Sequence, residues 1–166
     1  MSIATDFKVC ADGKSFPRSI GTFLLNPCFH SVALFRFSAA LYRIRLEPLA
    51  KVVWYINRVI YSVDLDYRAR LAPGFKLTHG LCVVVGAGVV SEGPLTLYQG
   101  VTIGGLYGSV RDNTKRGGGV FSQPHFGKGV VVYTNACIFG PVYIGDDAIV
   151  KAGRLVIKDV APGEKI

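Results

Sequence analysis

The chain has 166 residues, half of them hydrophobic and 11% aromatic, which is enough apolar material for one packed domain and excludes a disordered chain. Nineteen Lys and Arg oppose eleven Asp and Glu, a net charge of +8. Its longest apolar stretches, 23–37 and 52–60, are broken by Asn26, Pro27, His30, Arg36, Asn57 and Arg58 short of the roughly 20 residues that a membrane-spanning helix needs.

At the start of the chain Asp6, Lys8, Asp12 and Lys14 interrupt any apolar run, so no signal peptide is expected and the location is expected to be cytoplasmic. Cys10, Cys28, Cys82 and Cys137 lie far apart without a CxxC pair. That spacing points to reduced thiols, and no metal is expected.

Residues 1–62 form the expected helical region. Phe29, Val32, Ala33, Phe35, Leu41 and Tyr42, then Leu49, Val52, Val53, Ile56 and Ile60, recur at three- and four-residue spacing, which predicts two amphipathic helices parted by Pro48. Between Pro17 and Arg58 six cations, Arg18, Arg36, Arg43, Arg45, Lys51 and Arg58, face the single acid Glu47. Such a surface suits either the cap of an oligomer or peripheral contact with an anionic membrane at its inner face. No nucleic-acid-binding motif accompanies the basic charge, and no nucleic-acid partner is expected.

From residue 63 to 166 the period changes to six. Leu65, Leu71, Leu77, Val83, Val89, Leu95 and Val101 form one unbroken series, and Phe126, Val132, Ile138, Ile144, Val150 and Val156 a second. Four positions after many of these stands a small residue: Ala69, Ala87, Gly93, Gly105, Ala136 or Ala148. A period of six fits neither a helix nor a hairpin sheet, but it suits a coil of three short strands repeating every 18 residues, the hexapeptide form of a parallel β-helix. The fold class is therefore mainly β. Stacking at 18 residues puts Leu65, Val83 and Val101 on one edge and Leu77 and Leu95 on another. Arg154 takes an inward corner slot usually small, which is expected to open the final turn to solvent or to a partner. Residues 107–125, rich in Gly and polar residues, break the phase and are expected to leave the coil as an extruded loop.

Three histidines are available as a neutral-pH general base. His30 sits beside Phe29 and Val32 on a helix, a structural setting. His79 follows an inward residue by two and is open to either a wall or a catalytic role. His125 ends the loop behind Pro124. Asp64, Asp66, Ser91 and Ser122 show no spacing that makes a triad, and no phosphate-loop, dinucleotide or metal motif is present.

Over roughly residues 20–163 the chain resembles the serine acetyltransferase-like branch of the hexapeptide-repeat acyltransferases. The resemblance is carried by Asp64 and the stretches FKLTHG, VVVGAGVV, LYQGVTIGG and IGDDAIVKAG. It implies a left-handed parallel β-helix, a homotrimer with sites between subunits, and an acetyl-CoA-dependent O-acetyltransferase with acetyl-CoA as co-substrate. It also implies a catalytic His79, with Asp64 beside the acceptor or His79, and His125 orienting the acceptor or ending the loop. Gly105, Thr134, Lys151 and Ala152 match cofactor positions. Arg111, Lys115, Arg116, Lys128, Arg154 and Lys158 are further cations available to its phosphates.

Two departures bear on the acceptor. Serine acetyltransferases place an Asp before the catalytic His and close the loop with Arg-His-Pro-Lys, whereas this chain has Thr78 and Ser122-Gln123-Pro124-His125. A zwitterion without those partners forgoes charge-assisted bonds of about 1.5–3 kcal/mol each, so serine is expected to bind poorly. Pro124-His125-Phe126-Gly127 instead resembles relatives of exopolysaccharide and capsule synthesis, and the expected acceptor is a sugar hydroxyl. Serine O-acetylation in cysteine biosynthesis and a non-catalytic trimeric scaffold are the alternatives.

Overall fold

The computed structural model describes residues 3–11, 16–112 and 120–166, without the side chains of residues 16–19 and 22. Asp12, Lys14, Lys115, Arg116 and the side chain of Arg18 lie outside the described residues.

Four helices come first: α1 (Ile3–Ala11), α2 (Phe16–Leu25), α3 (Pro27–Arg43) and α4 (Glu47–Tyr61). Helix α3 starts where it does because the Asn26 carboxamide oxygen accepts the N–H groups of Cys28 and Phe29 at 3.0 and 3.2 Å, and Pro27 lacks the N–H that would otherwise be orphaned. Helix α4 ends at Ser62 in the left-handed region, φ 54°, with its N–H on the Arg58 carbonyl. The two helices run antiparallel. Ser38 donates to the Ala50 carbonyl at 2.8 Å and Asn57 to that of Ser31 at 3.1 Å, so the small and polar side chains of α4 face α3.

That inverts the sequence expectation for α4. Its periodic apolar residues Leu49, Val52, Ile56 and Ile60, with Tyr55 and Val59, are exposed, while Ala50 and Asn57 are buried. No helix among the described residues is long and apolar enough to cross a membrane.

The chain then winds into stacked parallel coils with three walls. One wall orders β1 (Asp64–Leu65), β3 (Val84–Val85), β6 (Thr102–Gly104), β11 (Cys137–Phe139) and β14 (Leu155–Val156). The second holds β2 (Phe75–Thr78), β5 (Leu95–Tyr98), β10 (Val130–Val132) and β13 (Ile149–Val150), and the third β4 (Val90–Ser91), β9 (His125–Phe126) and β12 (Tyr143–Ile144). All thirteen residues of the two period-six series are at most 5% exposed. Burial of these stacked side chains at the strand spacing of about 4.8 Å drives the coil.

The register corrects one expectation. Asp64 pairs with Val84 and Phe75 with Leu95, 20 residues on, whereas Val84 pairs with Thr102 and Val131 with Ile149, 18 residues on. Leu65 therefore stacks on Val85 and Leu77 on Leu97, not on Val83 and Leu95. The pairs Thr78–Tyr98 and Val84–Thr102 bracket the difference, so the two extra residues belong to the corner at His79. Each wall buries residues two apart, such as Phe75 with Leu77 and Val83 with Val85, and a two-residue insertion moves inward side chains onto inward slots.

The loop leaves the coil after Gly104 and forms an antiparallel ribbon of β7 (Arg111–Asp112) and β8 (Val120–Phe121) before His125 rejoins the third wall. Arg154 is exposed and does not fill an inward slot.

Candidate active site

The corner after β2 carries the main candidate. His79 is exposed and adopts φ 52°, and Cys82 adopts φ 55°, both uncommon for side chains with a Cβ. Three bonds hold the corner: Leu81 N–H to the His79 carbonyl at 2.6 Å, Cys82 N–H to the Ser62 carbonyl at 2.8 Å, and Gly80 N–H to the Cys28 sulfur at 3.3 Å. The last two tie the extra residues to the end of α4 and the start of α3, so the helices fix how His79 is presented. Strain kept at one such position is what a functional corner would need.

His79 lines a cavity of about 880 Å³ between α1, the start of α3, the end of α4 and the outer face of β2 and β5. Ile60, Tyr61, Leu77, Leu81 and Tyr98 supply its apolar surface, and Asn26, Ser31, Thr78 and Thr96 its hydrogen-bonding groups. An open, apolar cleft with a few convergent polar groups is the usual form of a small-molecule site.

Three of the four cofactor-matched residues continue the same edge. Asn135 N–H binds the Gln99 carbonyl and Gly153 N–H the Thr134 carbonyl, which stacks His79, Gln99, Thr134 and Ala152 in successive coils. Gly100 occurs in this column because it adopts φ 70° and Asn135 Oδ1 occupies the space its Cβ would need. Thr134 is half-buried, Lys151 and Ala152 are exposed, and Tyr98 and Tyr133 stack at 4.8 Å beside them. A ledge of this kind, with His79 at one end and the Lys151 ammonium at the other, fits a ligand with a reactive end and an anionic end.

Gly105 stands elsewhere. It lies six residues beyond Gln99, across the first wall, which at 3.3 Å per residue is about 20 Å. The Gln123 carboxamide rests on Gly86, Gly88 and Gly105, where any Cβ would collide with it. This glycine slot seats the returning loop, and sequence reading did not single out Gln123.

His125 belongs to this second edge. Its ring lies 4.3 Å from that of Phe121 and 5.5 Å from that of Tyr143, and its backbone pairs with Val90 and Tyr143. It does not line the His79 cavity. Burial, and secondarily the Arg70 cation, push its imidazole below the usual 6.5. The fold therefore binds this proton less tightly than the unfolded chain does. Stability from His125 should be complete above about pH 6.5 and fall as the pH drops through that value. Denaturant midpoints measured from pH 8 to pH 5 should decline less steeply for His125→Phe than for the wild-type chain.

Asp64 has both carboxylate oxygens engaged, one by Trp54 Nε1 at 2.8 Å and one by Arg58 at 3.2 Å, which joins α4 to the first coil. Arg111 grips the Asp159 carboxylate at 2.6 and 2.8 Å; Lys128, Arg154 and Lys158 are exposed. His30 is structural, its Nε2 2.8 Å from the Phe23 carbonyl. No group of three or more His, Cys, Asp and Glu among the described residues could hold a metal ion.

Known proteins sharpen this reading. A serine acetyltransferase of Synechococcus elongatus is 28% identical over 160 residues, 96% of this chain and 62% of its own, and one of Helicobacter pylori is 29% identical over 140 residues, 84% and 77%. The chain is similar to serine acetyltransferases. In structure it superposes on that of Neisseria gonorrhoeae in complex with serine at a TM-score of 0.83 and 28% identity, covering 98% of this chain and 64% of the other. The Brucella abortus serine acetyltransferase in complex with coenzyme A gives 0.83 and 26%, covering 96% and 61%. A Schizosaccharomyces pombe relative, 32% identical over 146 residues, is matched over 51% of its length, so the chain spans from about half to about three quarters of the length of these proteins. No family model matches the chain.

These relatives overturn the expected sugar acceptor and favour the serine alternative. The physical reason lies in β9. Phe126 is buried in the core, Pro124 is buried, His125 and Gly127 donate to the carbonyls of Val142 and Ile144, and a Cβ on Gly127 would strike Asp146. Packing of the wall accounts for Pro124, Phe126 and Gly127 of that string without any sugar acceptor.

Proposed function

We propose that the chain is an acetyl-CoA-dependent O-acetyltransferase whose acceptor is serine, built on a left-handed coil. The observation that carries this is the placement of His79, the residue matched to the catalytic position, exposed in a cavity of about 880 Å³ of a chain similar over most of its length to serine acetyltransferases.

The His79 imidazole takes the proton of the serine hydroxyl as its oxygen attacks the thioester carbonyl carbon. The carbon–sulfur bond then breaks and the proton passes to the departing thiolate, leaving O-acetylserine and coenzyme A. The ledge of Thr134, Lys151 and Ala152 holds the coenzyme. Backbone N–H groups beside Gly105 stabilise the developing oxyanion. Because Gly105 and the His79 edge are about 20 Å apart in one chain, this role requires the Gly105 edge of one copy to meet the His79 edge of the next. A homotrimer, with one such seam for each pair of copies, meets that requirement.

The test is incubation with acetyl-CoA and L-serine, following free thiol and product mass together. Stoichiometric thiol and O-acetylserine are expected; thiol release that does not depend on serine would reject the assignment.

A further inference from the structure

The cavity that contains His79 is electrostatically one-sided. Among the described residues that line it there is no carboxylate, and Lys76 is the only Lys or Arg. Lys76 lies on β2, where Phe75 and Leu77 point into the core while Lys76 and Thr78 share the outer face with Thr96 and Tyr98 of β5, all four lining the cavity. Its ammonium makes no ion pair or hydrogen bond with a described residue, although the side chain is half-buried. A half-buried cation in a cavity that Tyr61 and Tyr98 also line, without a counter-charge, is unfavourable, and an anionic occupant would relieve it.

The spacing fits a small one. Lys76 and His79 are three residues apart, at most about 10 Å along the chain, and both line the cavity. An ammonium and an imidazole lining one cavity at this sequence spacing suit a short molecule with a carboxylate at one end and a hydroxyl at the other. On the reading above, that hydroxyl is the one acetylated. The opposite charge finds no match, because the residue before His79 is Thr78 and no acid lines the cavity.

We infer that Lys76 reads the acceptor's carboxylate, and that the acceptor is selected as a small hydroxy acid by that carboxylate, with its amino group making no paired contact. The lysine takes the part that the loop end cannot, since Ser122 and Gln123 carry no charge.

The inference rests on the serine-acetylating reading, and the experiment separates the two. Acetyl transfer is measured with L-serine, with serinamide, which lacks the carboxylate, and with 3-hydroxypropionate, which lacks the amine. Binding of the three compounds is measured calorimetrically in parallel, for wild type, Lys76→Met and Lys76→Arg, with folding checked by circular dichroism. Serinamide should be poorer than serine by about 10- to 100-fold in kcat/KM, the worth of one charge-assisted contact, and 3-hydroxypropionate within a few-fold of serine. Lys76→Met should raise KM for serine by a similar factor, leave KM for acetyl-CoA unchanged and abolish the distinction between serine and serinamide; Lys76→Arg should restore it. Carboxylate-dependent binding lost in Lys76→Met without ester formation would uphold the inference and reject the serine-acetylating reading. Equal use of serine and serinamide, an unchanged serine KM in Lys76→Met, a shift in the acetyl-CoA KM instead, or no binding of any of the three would overturn the inference.

Discussion

Replacing His79 with Asn should lower kcat for acetyl transfer by about 10²- to 10⁴-fold while leaving KM for acetyl-CoA within about twofold, the range for loss of a general base. Asn is the informative replacement because position 79 adopts φ 52°, a conformation that Asn accepts more readily than Ala. The ring is exposed and its removal opens no hole in the core, so stability should change little. Thiol release at saturating serine, with a thermal melt of the same preparation, checks both halves. A near-native rate in a folded variant would remove the catalytic role of His79.

The largest loss of stability is expected at the other end of the chain. The Asp6 side chain is fully buried, and its oxygens accept from Arg36 Nε at 2.7 Å and a second Arg36 nitrogen at 3.1 Å, and from the backbone of Gly74 and Phe75 at 2.8 and 3.0 Å. Arg36 in turn donates to the carbonyls of Leu71 and Ala72. One carboxylate thus joins α1, α3 and the entry to β2, the strand that carries Lys76 and leads to His79. Asp6→Ala strands the arginine against the coil and should cost about 3–5 kcal/mol, the usual penalty for removing one partner of a buried pair. For a chain of this size that lowers Tm by roughly 10 °C. Scanning calorimetry of Asp6→Ala and of the double variant Asp6→Leu with Arg36→Met tests the cause. The double variant should recover much of the loss, whereas equal losses would mean that the ion pair is not responsible.

Asp6 also shows where sequence reading runs out. In the sequence it is one charge interrupting an apolar run, and its partners lie 30 and more residues away. The coil itself was legible because its driving force is local and periodic: every sixth residue is apolar, and all thirteen are buried. The same regularity hid the 20-residue first coil. With two inward slots per wall, a two-residue shift leaves the buried pattern intact, and only strand pairing exposes it. That hidden pair of residues builds the corner at His79.

Helix α4 failed differently. Its 3–4 spacing located the helix, yet the inner face is set by what fits α3, which is Ala50 and Asn57, and the apolar row faces outward. Asp64 could be singled out by resemblance, but its contacts with Trp54 and Arg58 required the helices in place. Likewise Lys76 has no motif. It becomes informative once its cavity is known to contain no acid among the described residues. Pro124-His125-Phe126-Gly127 misled because a packing constraint in a wall strand and a substrate contact can leave the same residues in a sequence.

The account stands on a thioester delivered to the His79 corner. A crystal structure of the protein with coenzyme A examines that directly. The account predicts the sulfur within about 4 Å of the His79 ring, a contact the length of a hydrogen bond to sulfur, with the pantetheine along Thr134 and Ala152 and the Gly105 edge of an adjacent copy closing the seam. A coenzyme bound with its sulfur at the third wall, or anywhere out of reach of His79, would contradict it.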